Sequence, residues 1–248
     1  MKVSIITVCL NSSSTLEYTI NSVLSQTYSD IEYIIIDGKS VDNTIDIINK
    51  YKNKISYFIS EKDNGIYDAM NKGIRISSGD LVCILNSDDF YCEKTTIDCV
   101  VHHLRLNPES DACYGNLKLV SNKNINLVKR LWIPGIFNKE NYKYGWMIPH
   151  PCLFVKKSIY QKIGLFRTDF STAADYEFMF RTFFVNSFIA TYIPKFLVAQ
   201  RVGGASQSIT SRFKANKFDL LSWQIHGLSP PWYFRFFKPL SKLKQYFN

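Results

Sequence analysis

The chain lacks any run of about 18 uninterrupted apolar residues, the length a bilayer crossing needs. Its best candidate, 183–199, is broken by Asn186, Ser187, Pro194 and Lys195, so no membrane span is expected. A secretory leader is not expected either, because the opening apolar stretch ends at Asn11 with no small-residue cleavage site behind it. None of the six cysteines (Cys9, Cys83, Cys92, Cys99, Cys113, Cys152) stands in a Cys-x-x-Cys pair. That removes the usual zinc spacing and points to reduced, mostly buried thiols in a cytosolic protein. No G-x-G-x-x-G follows the first apolar run and no G-x-x-x-x-G-K-[ST] occurs anywhere. A dinucleotide dehydrogenase and a P-loop nucleotidase are therefore disfavoured. Internal repeats and low-complexity linkers are missing as well, which argues for one compact domain plus a tail.

What is present is globular. The 248 residues are 46% hydrophobic and 21% charged, enough to bury a sizeable core. The net charge of +9 is unevenly placed. Residues 205–248 hold seven bases (Arg212, Lys214, Lys217, Arg235, Lys238, Lys242, Lys244) against Asp219 alone, +6 of the total. The same tail carries Trp232, Tyr233, Phe234, Phe236, Phe237, Tyr246 and Phe247. Rings interleaved with cations suit a bilayer interface, and equally a terminal helix that packs its rings on the core. Nucleic acid is not an expected partner, since no nucleic-acid motif accompanies the charge.

The first third alternates strand and helix signals. Lys2 to Cys9, Ile31 to Ile36, Ile55 to Ser60 and Leu81 to Leu85 read as strands; Thr15 to Gln26, Asp42 to Tyr51 and Asp68 to Ser77 read as helices. This order implies an α/β fold, a mostly parallel sheet flanked by helices, with ligands at the carboxyl ends of the strands. Three strands end in polar residues: Asn11, Asp37 and the cluster Asn86-Ser87-Asp88-Asp89. These should converge on one crevice. The second half is less regular. Thr95 to Leu106 and Ser158 to Ile163 read as helices, Asp111 to Val120 and Asn126 to Ile133 as strands, and Gly145 to Phe154 as a Pro-punctuated loop entering a strand. Asp175 to Val185 reads as a helix capped from Ser171-Thr172, and Gly203-Gly204 as a loop.

Adjacent carboxylates at a strand end repel each other unless a cation sits among them, and a hard divalent ion that also takes phosphate oxygens fits that need. An ordinary capped turn is the plainer alternative.

The pattern VSIITVCLNSSSTLEYTINSVLSQTYSDIEYIIIDGKSVDNT resembles the opening of family 2 glycosyltransferases, which have the GT-A fold. Further matches are the Asn64-Gly65-Ile66-Tyr67-Asp68-Ala69-Met70-Asn71-Lys72-Gly73 segment, the D-x-D-type cluster at 86–89, and Ala174-Asp175-Tyr176-Glu177 with Arg181. The resemblance spans roughly Val3 to Ser206. Gly203-Gly204-Ala205-Ser206 and the Tyr67 to Gly73 stretch look like the branch that builds bacterial O-antigen and related polysaccharides.

The resemblance implies the following roles. Thr7, Cys9 and Asn11 line the donor side, and Asp37 accepts from the uracil imide. Asn86 stands where the family usually has the Asp that contacts ribose, with Ser87 beside it. Asp88 binds Mn²⁺ or Mg²⁺ bridging the diphosphate, and Asp89 stands behind it. Asp68 and Asn71 support the donor pocket. Asp175 is the base that takes the proton of the acceptor hydroxyl; its plainer reading is a helix-start carboxylate favoured by the dipole. His150 and Arg201 fall on the acceptor side. The implied activity is inverting transfer of a hexose (Glc, Gal or an N-acetyl form) from a UDP-sugar to a polyprenyl-diphosphate-linked saccharide. The implied place is the cytoplasmic face of the inner membrane, reached through the tail. The expected layout is a GT-A domain over 1–204, with a nucleotide-sugar half (1–115) and an irregular acceptor half (116–204), followed by the basic aromatic tail 205–248. A nucleotidyltransferase of similar architecture and a non-catalytic nucleotide-sugar-binding module stay open beside this reading. The former would want a Gly-rich basic loop where Asn11-Ser12-Ser13-Ser14 stands.

Overall fold

The structure is a computed structural model. It describes residues 1–170, 173–203 and 209–234, and for 209–216 the backbone only. Strands β1 (Val3–Cys9), β2 (Ile31–Asp37), β3 (Tyr57–Ser60) and β4 (Leu81–Ile84) run parallel in the order β3-β2-β1-β4. They are joined through helices α1 (Leu16–Leu24), α2 (Thr44–Lys50) and α3 (Ile66–Ile76). The chain continues through β5 (Asp89–Tyr91), α4 (Thr96–Leu106), β6 (Ala112–Val120), β7 (Val128–Trp132), β8 (Leu153–Lys156), α5 (Lys157–Ile163), α6 (Ala174–Met179), β9 (Ala190–Arg201) and α7 (Ile209–Ile225). The sheet extends as β4-β8-β6-β9-β5, with β7 on the stretch of β6 beyond β8. Strand β8 is antiparallel to both neighbours, β9 is parallel to β6, and β5 is antiparallel to β9.

The central strands read as continuous apolar runs because both faces of the sheet are covered. Period-two alternation divides them between two cores. Ile6, Val8, Ile34, Ile36, Val82 and Ile84 face α3 and the aromatic second half. Val3, Ile5, Ile35, Leu81 and Cys83 face α1, α2 and α4. Helix α3 lies so close to β1 that a Cβ on Gly73 would sit 2.4 Å from Cγ2 of Ile6.

Two strands were not legible from the pattern. Strand β9 is interrupted by Pro194 and Lys195, which would cost a ladder its regularity. The sheet absorbs them as a bulge: Gly115 pairs with Ile193 and Asn116 with Phe196, so the intervening pair is left out. A Cβ on Gly115 would approach Cγ of Leu197 to 2.5 Å, which is why a glycine stands opposite the bulge. Strand β5 is three residues long and opens on Asp89. The helix expected over 175–185 is also broken. After Met179 the ladder widens into a π-helical turn, Phe180–Val185, and the Asn186 N–H reaches the Arg181 carbonyl at 3.1 Å.

The described part of the C-terminal region packs on the core. Trp223 of α7 lies 4.7 Å from the Phe180 ring and donates its Nε1–H to the Tyr176 hydroxyl at 3.3 Å; Phe234 covers it from below at 5.8 Å. Ser171-Thr172, Gly204 to Ser206, the side chains of Arg212 and Lys214, and residues 235–248 lie outside the described residues. Among the described residues no helix is long and apolar enough to cross a membrane. The six cysteines are free, and Cys9, Cys83, Cys113 and Cys152 are buried.

A polar clamp closes the opposite end of the sheet. Glu32 accepts from Ser4 Oγ (2.5 Å), the Ser78 N–H (2.7 Å) and Lys2 Nζ (3.0 Å). Burial pushes its carboxyl up, but the bonds from Ser4, Ser78 and Lys2 outweigh burial and carry it from 4.5 to about 2. A carboxyl depressed by folding adds stability above its unfolded value and loses it as pH falls through its folded value. Thermal melts of the wild type should therefore fall steeply between pH 4.5 and 2, and Glu32→Gln should melt lower at neutral pH with a flatter slope across that window.

Candidate active site

The loops that leave β1, β2 and β4 are laced together, as the polar strand ends require. Asn11 adopts a left-handed conformation (φ 50°), which Asn tolerates; its N–H donates to Ser40 Oγ at 2.7 Å and its Oδ1 accepts from the Val41 N–H at 2.9 Å. Ser12 N–H meets Thr44 Oγ1 at 2.8 Å, and Ser12 and Ser87 share a hydroxyl hydrogen bond of 2.8 Å. Thr7 is fully buried with its hydroxyl on that of Tyr33 (3.1 Å), because β1 is covered on both faces. Cys9 and Asp37 do sit at the tip. Asp37 is fully buried, and its oxygens accept from Ser40 N–H (2.9 Å), Ser40 Oγ (2.5 Å), Ser60 Oγ (2.6 Å) and Cys9 Sγ (3.5 Å). Those four donors match the carboxylate's acceptor capacity, so a uracil imide would have to displace one of them. Burial and the neighbouring Asp37 carboxylate push the Cys9 thiol far above its ordinary range, so it stays protonated.

The cluster after β4 is the opposite case. Asn86 Nδ2 donates to Asp89 Oδ2 at 3.4 Å, yet Asn86 Oδ1 and Asp89 Oδ1 are buried without a hydrogen-bond partner. Asp89 is fully buried, and burial followed by the Asp88 charge drives its carboxyl well upward. Burial also raises Asp88, with Arg201 opposing. Arg201 is buried at the end of β9, donates Nη1–H to the Asp88 carbonyl at 2.8 Å, and lies 5.1 Å from the centres of both the Tyr18 and Phe90 rings. It braces the cluster from beneath. The unpartnered oxygens of Asn86 and Asp89, with the largely desolvated Asp88 carboxylate beside them, form a donor set that a hard divalent cation fits. No group of three His, Cys, Asp or Glu among the described residues closes round such an ion, so its remaining positions would fall to phosphate and water.

The third part comes from the second half. Strand register pairs Cys83 with Phe154 and Leu81 with Lys156, so the segment preceding β8 lies beside the end of β4. That segment holds His150, buried edge-on to Phe166 at 5.5 Å. Burial lowers the His150 imidazole, and the nearby Asp175 carboxylate works against that. Asp175, on the first turn of α6, accepts a hydrogen bond from the Tyr67 hydroxyl at 3.1 Å. Beside Tyr67 is a hollow of about 250 Å³ lined by Asn64, Gly65, Ile66, Tyr67 and Thr168. Asp68 points the other way; it accepts from the Asn64 N–H at 3.0 Å and pairs with Lys72 at 3.8 Å. Asn71 holds Phe166 by both backbone groups, donating to its carbonyl (2.8 Å) and accepting from its N–H (3.0 Å).

Hydrogen bonds thus tie the Asn11, Asp37 and Ser87 loops together and Arg201 to Asp88, the β4–β8 register sets the His150 segment beside the end of β4, and Asp175 lies near His150 and on the Tyr67 hydroxyl. The reading from sequence missed Ser40 and Ser60, which saturate Asp37, and it quoted Tyr67 without a role. A hydroxyl following each strand tip was the available signal for the serines.

A family model described as Glycosyl transferase family 2 matches residues 4–164. The chain is 33% identical over 167 residues (66% of this chain, 62% of the relative) to the UDP-Glc:α-D-GlcNAc-diphosphoundecaprenol β-1,3-glucosyltransferase WfaP of Escherichia coli. It superposes on S. aureus TarS 1–349, solved in complex with UDP-GlcNAc, with a TM-score of 0.72 at 19% identity, covering 90% of this chain and 66% of that one. It also superposes on a mannosyltransferase from Pyrobaculum calidifontis, solved with GDP-Man and Mn²⁺, with a TM-score of 0.68 at 17% identity over 99% of this chain and 69% of that one.

Replacing Arg201 by Gln should cost about 1–3 kcal/mol of folding stability, because the Asp88 carbonyl loses a charged donor and two rings lose their cation. A urea unfolding curve measures it, and an unchanged midpoint would remove the bracing role.

Proposed function

The chain belongs to glycosyl transferase family 2 and has the GT-A fold, and from that premise we propose that it is an inverting, metal-dependent hexosyltransferase. In this reading it moves glucose, galactose or an N-acetyl form from a UDP-sugar to a sugar on a polyprenyl diphosphate, in the synthesis of an O-antigen or related surface polysaccharide. The observation that carries the reading is the neighbourhood of the β4 tip, where Asp88 ends the donor half, to the His150 segment that faces Asp175. The named donor and acceptor of the E. coli relative support a uridine nucleotide and a lipid-linked acceptor.

Asp88, with the unpartnered oxygens of Asn86 and Asp89 behind it, would hold Mn²⁺ or Mg²⁺. Bound there, the ion would neutralise the diphosphate and make it a better leaving group. The residues of the chain do the rest. Cys9, Asn11 and the Asp37 tip shape the uridine end, and Ser87 and Asn86 stand toward the ribose. Asp175 takes the proton of the acceptor hydroxyl as its oxygen bonds to the anomeric carbon and the bond to the diphosphate breaks. One displacement with no covalent intermediate turns an α-linked donor into a β-linked product.

The basic aromatic tail is proposed to meet the cytoplasmic face of the inner membrane. The exposure of Trp232 (83%), beside a Tyr233 ring stacked on Tyr144 at 5.2 Å, supports that role.

UDP release, with Mn²⁺ against EDTA and with GlcNAc-diphosphate-lipid as acceptor, tests the reaction; a panel of UDP-sugars names the donor. Asp88→Ala and Asp175→Asn should each lower turnover at least 10³-fold, on the scale of losing a principal catalytic group, with an unchanged circular dichroism spectrum. Wild-type turnover in either removes that residue's role. For the tail, Phe234 packs on Trp223, so the chain is kept at full length. Changing Trp232 to Ala and Arg235, Lys238, Lys242 and Lys244 to Gln should abolish co-sedimentation with phosphatidylglycerol vesicles. An unchanged bound fraction rejects the membrane contact.

A further inference from the structure

The geometry points to Tyr67 as a positioning residue for Asp175: its hydroxyl, buttressed through Phe166, holds one carboxylate oxygen so that the other is presented to the acceptor hydroxyl. This rests on the reading of Asp175 as the base. The Tyr67 hydroxyl donates to Asp175 Oδ1 at 3.1 Å and lies against the backbone of Ala174 and Asp175. Its ring is buried and packs on Phe166 at 5.7 Å, and the His150 ring stands edge-on to the same Phe166 at 5.5 Å. Phe166 is itself immobilised by the two backbone bonds to Asn71, four residues beyond Tyr67 on α3. Residues from three separate elements therefore converge on the base through one phenyl ring.

A carboxylate that rotates freely spends little time with a lone pair on the reacting proton, and orientation is worth a large part of a catalytic group's effect. With Oδ1 occupied by Tyr67, the free oxygen is Oδ2. Burial, and after it the Asp175 charge, raise the Tyr67 phenol well above its ordinary value, so it remains a donor throughout the working range. The titratable groups found facing Asp175 among the described residues are Tyr67 from α3 and His150 from the segment before β8. Burial lowers His150, which favours its neutral form, so it does not compete as a cation for the carboxylate. Glu177, two residues on, is turned away into a pair with Arg181 at 2.9 Å and a contact with His226 at 3.1 Å.

The test is the split between kcat and KM for Tyr67→Phe beside Asp175→Asn. Phe keeps the ring against Phe166, so the fold is left in place, and an unchanged KM for the sugar nucleotide verifies it. With the hydroxyl gone, kcat should drop about tenfold at that unchanged KM, the scale of a charge-assisted hydrogen bond that orients the reacting group. If Asp175→Asn is inactive while Tyr67→Phe leaves kcat unmoved, Tyr67 only packs, and the inference falls while the base assignment stands. If Asp175→Asn retains turnover, the base assignment falls and takes the inference with it.

Discussion

The site depends on the antiparallel ladder between β4 and β8. The first four strands form a parallel half-sheet whose carboxyl ends carry Asn11, Asp37 and the 86–89 cluster. Were β8 parallel to β4, its leading segment would lie at the far end of the sheet, and His150 would be a strand length of more than 10 Å from Asn86. Because β8 is reversed, the chain enters it at the end where β4 leaves. One reversed strand places the His150 segment beside the strand-tip carboxylates.

The polar groups at this end fall into two sets with different energetics. Asp37 is saturated by Ser40, Ser60 and Cys9, so it fixes the shape of the β2 tip. Asn86 and Asp89 instead keep buried acceptors without donors. An unsatisfied buried polar atom costs about 1–3 kcal/mol. The Arg201 hydrogen bond to the Asp88 carbonyl holds the loop that carries them. The saturated carboxylate and the unsatisfied acceptors thus stand on different strand tips, β2 and β4.

Helix α6 has six residues before its ladder widens, too few to be stable alone. Its position comes from packing. Tyr176 and Phe180 stack at 5.9 Å, Trp223 of α7 closes over them, and the buried Glu177 carboxylate is bound by Arg181 and His226. A buried pair of this kind fixes geometry more than it adds stability. The described part of α7 is therefore a buttress for the helix that bears Asp175, as well as the beginning of the basic segment.

The α/β class, the parallel order of the opening strands and the convergence of Asn11, Asp37 and the 86–89 cluster were legible in the amino-acid order. Apolar runs, turn residues and strand-end polar groups are local signals, and backbone geometry converts them into position without help from the rest of the chain. Strand β9 was hidden because Pro194 and Lys195 interrupt its pattern, and only pairing with β6 absorbs them as a bulge. The burial of Thr7, the place of Arg201 beneath Asp88 and the bond from Tyr67 to Asp175 were equally invisible. Each joins elements 26 to 113 residues apart, and contacts at such separations are set by which sheet edges and helix faces fit together, a matter that tertiary packing alone decides.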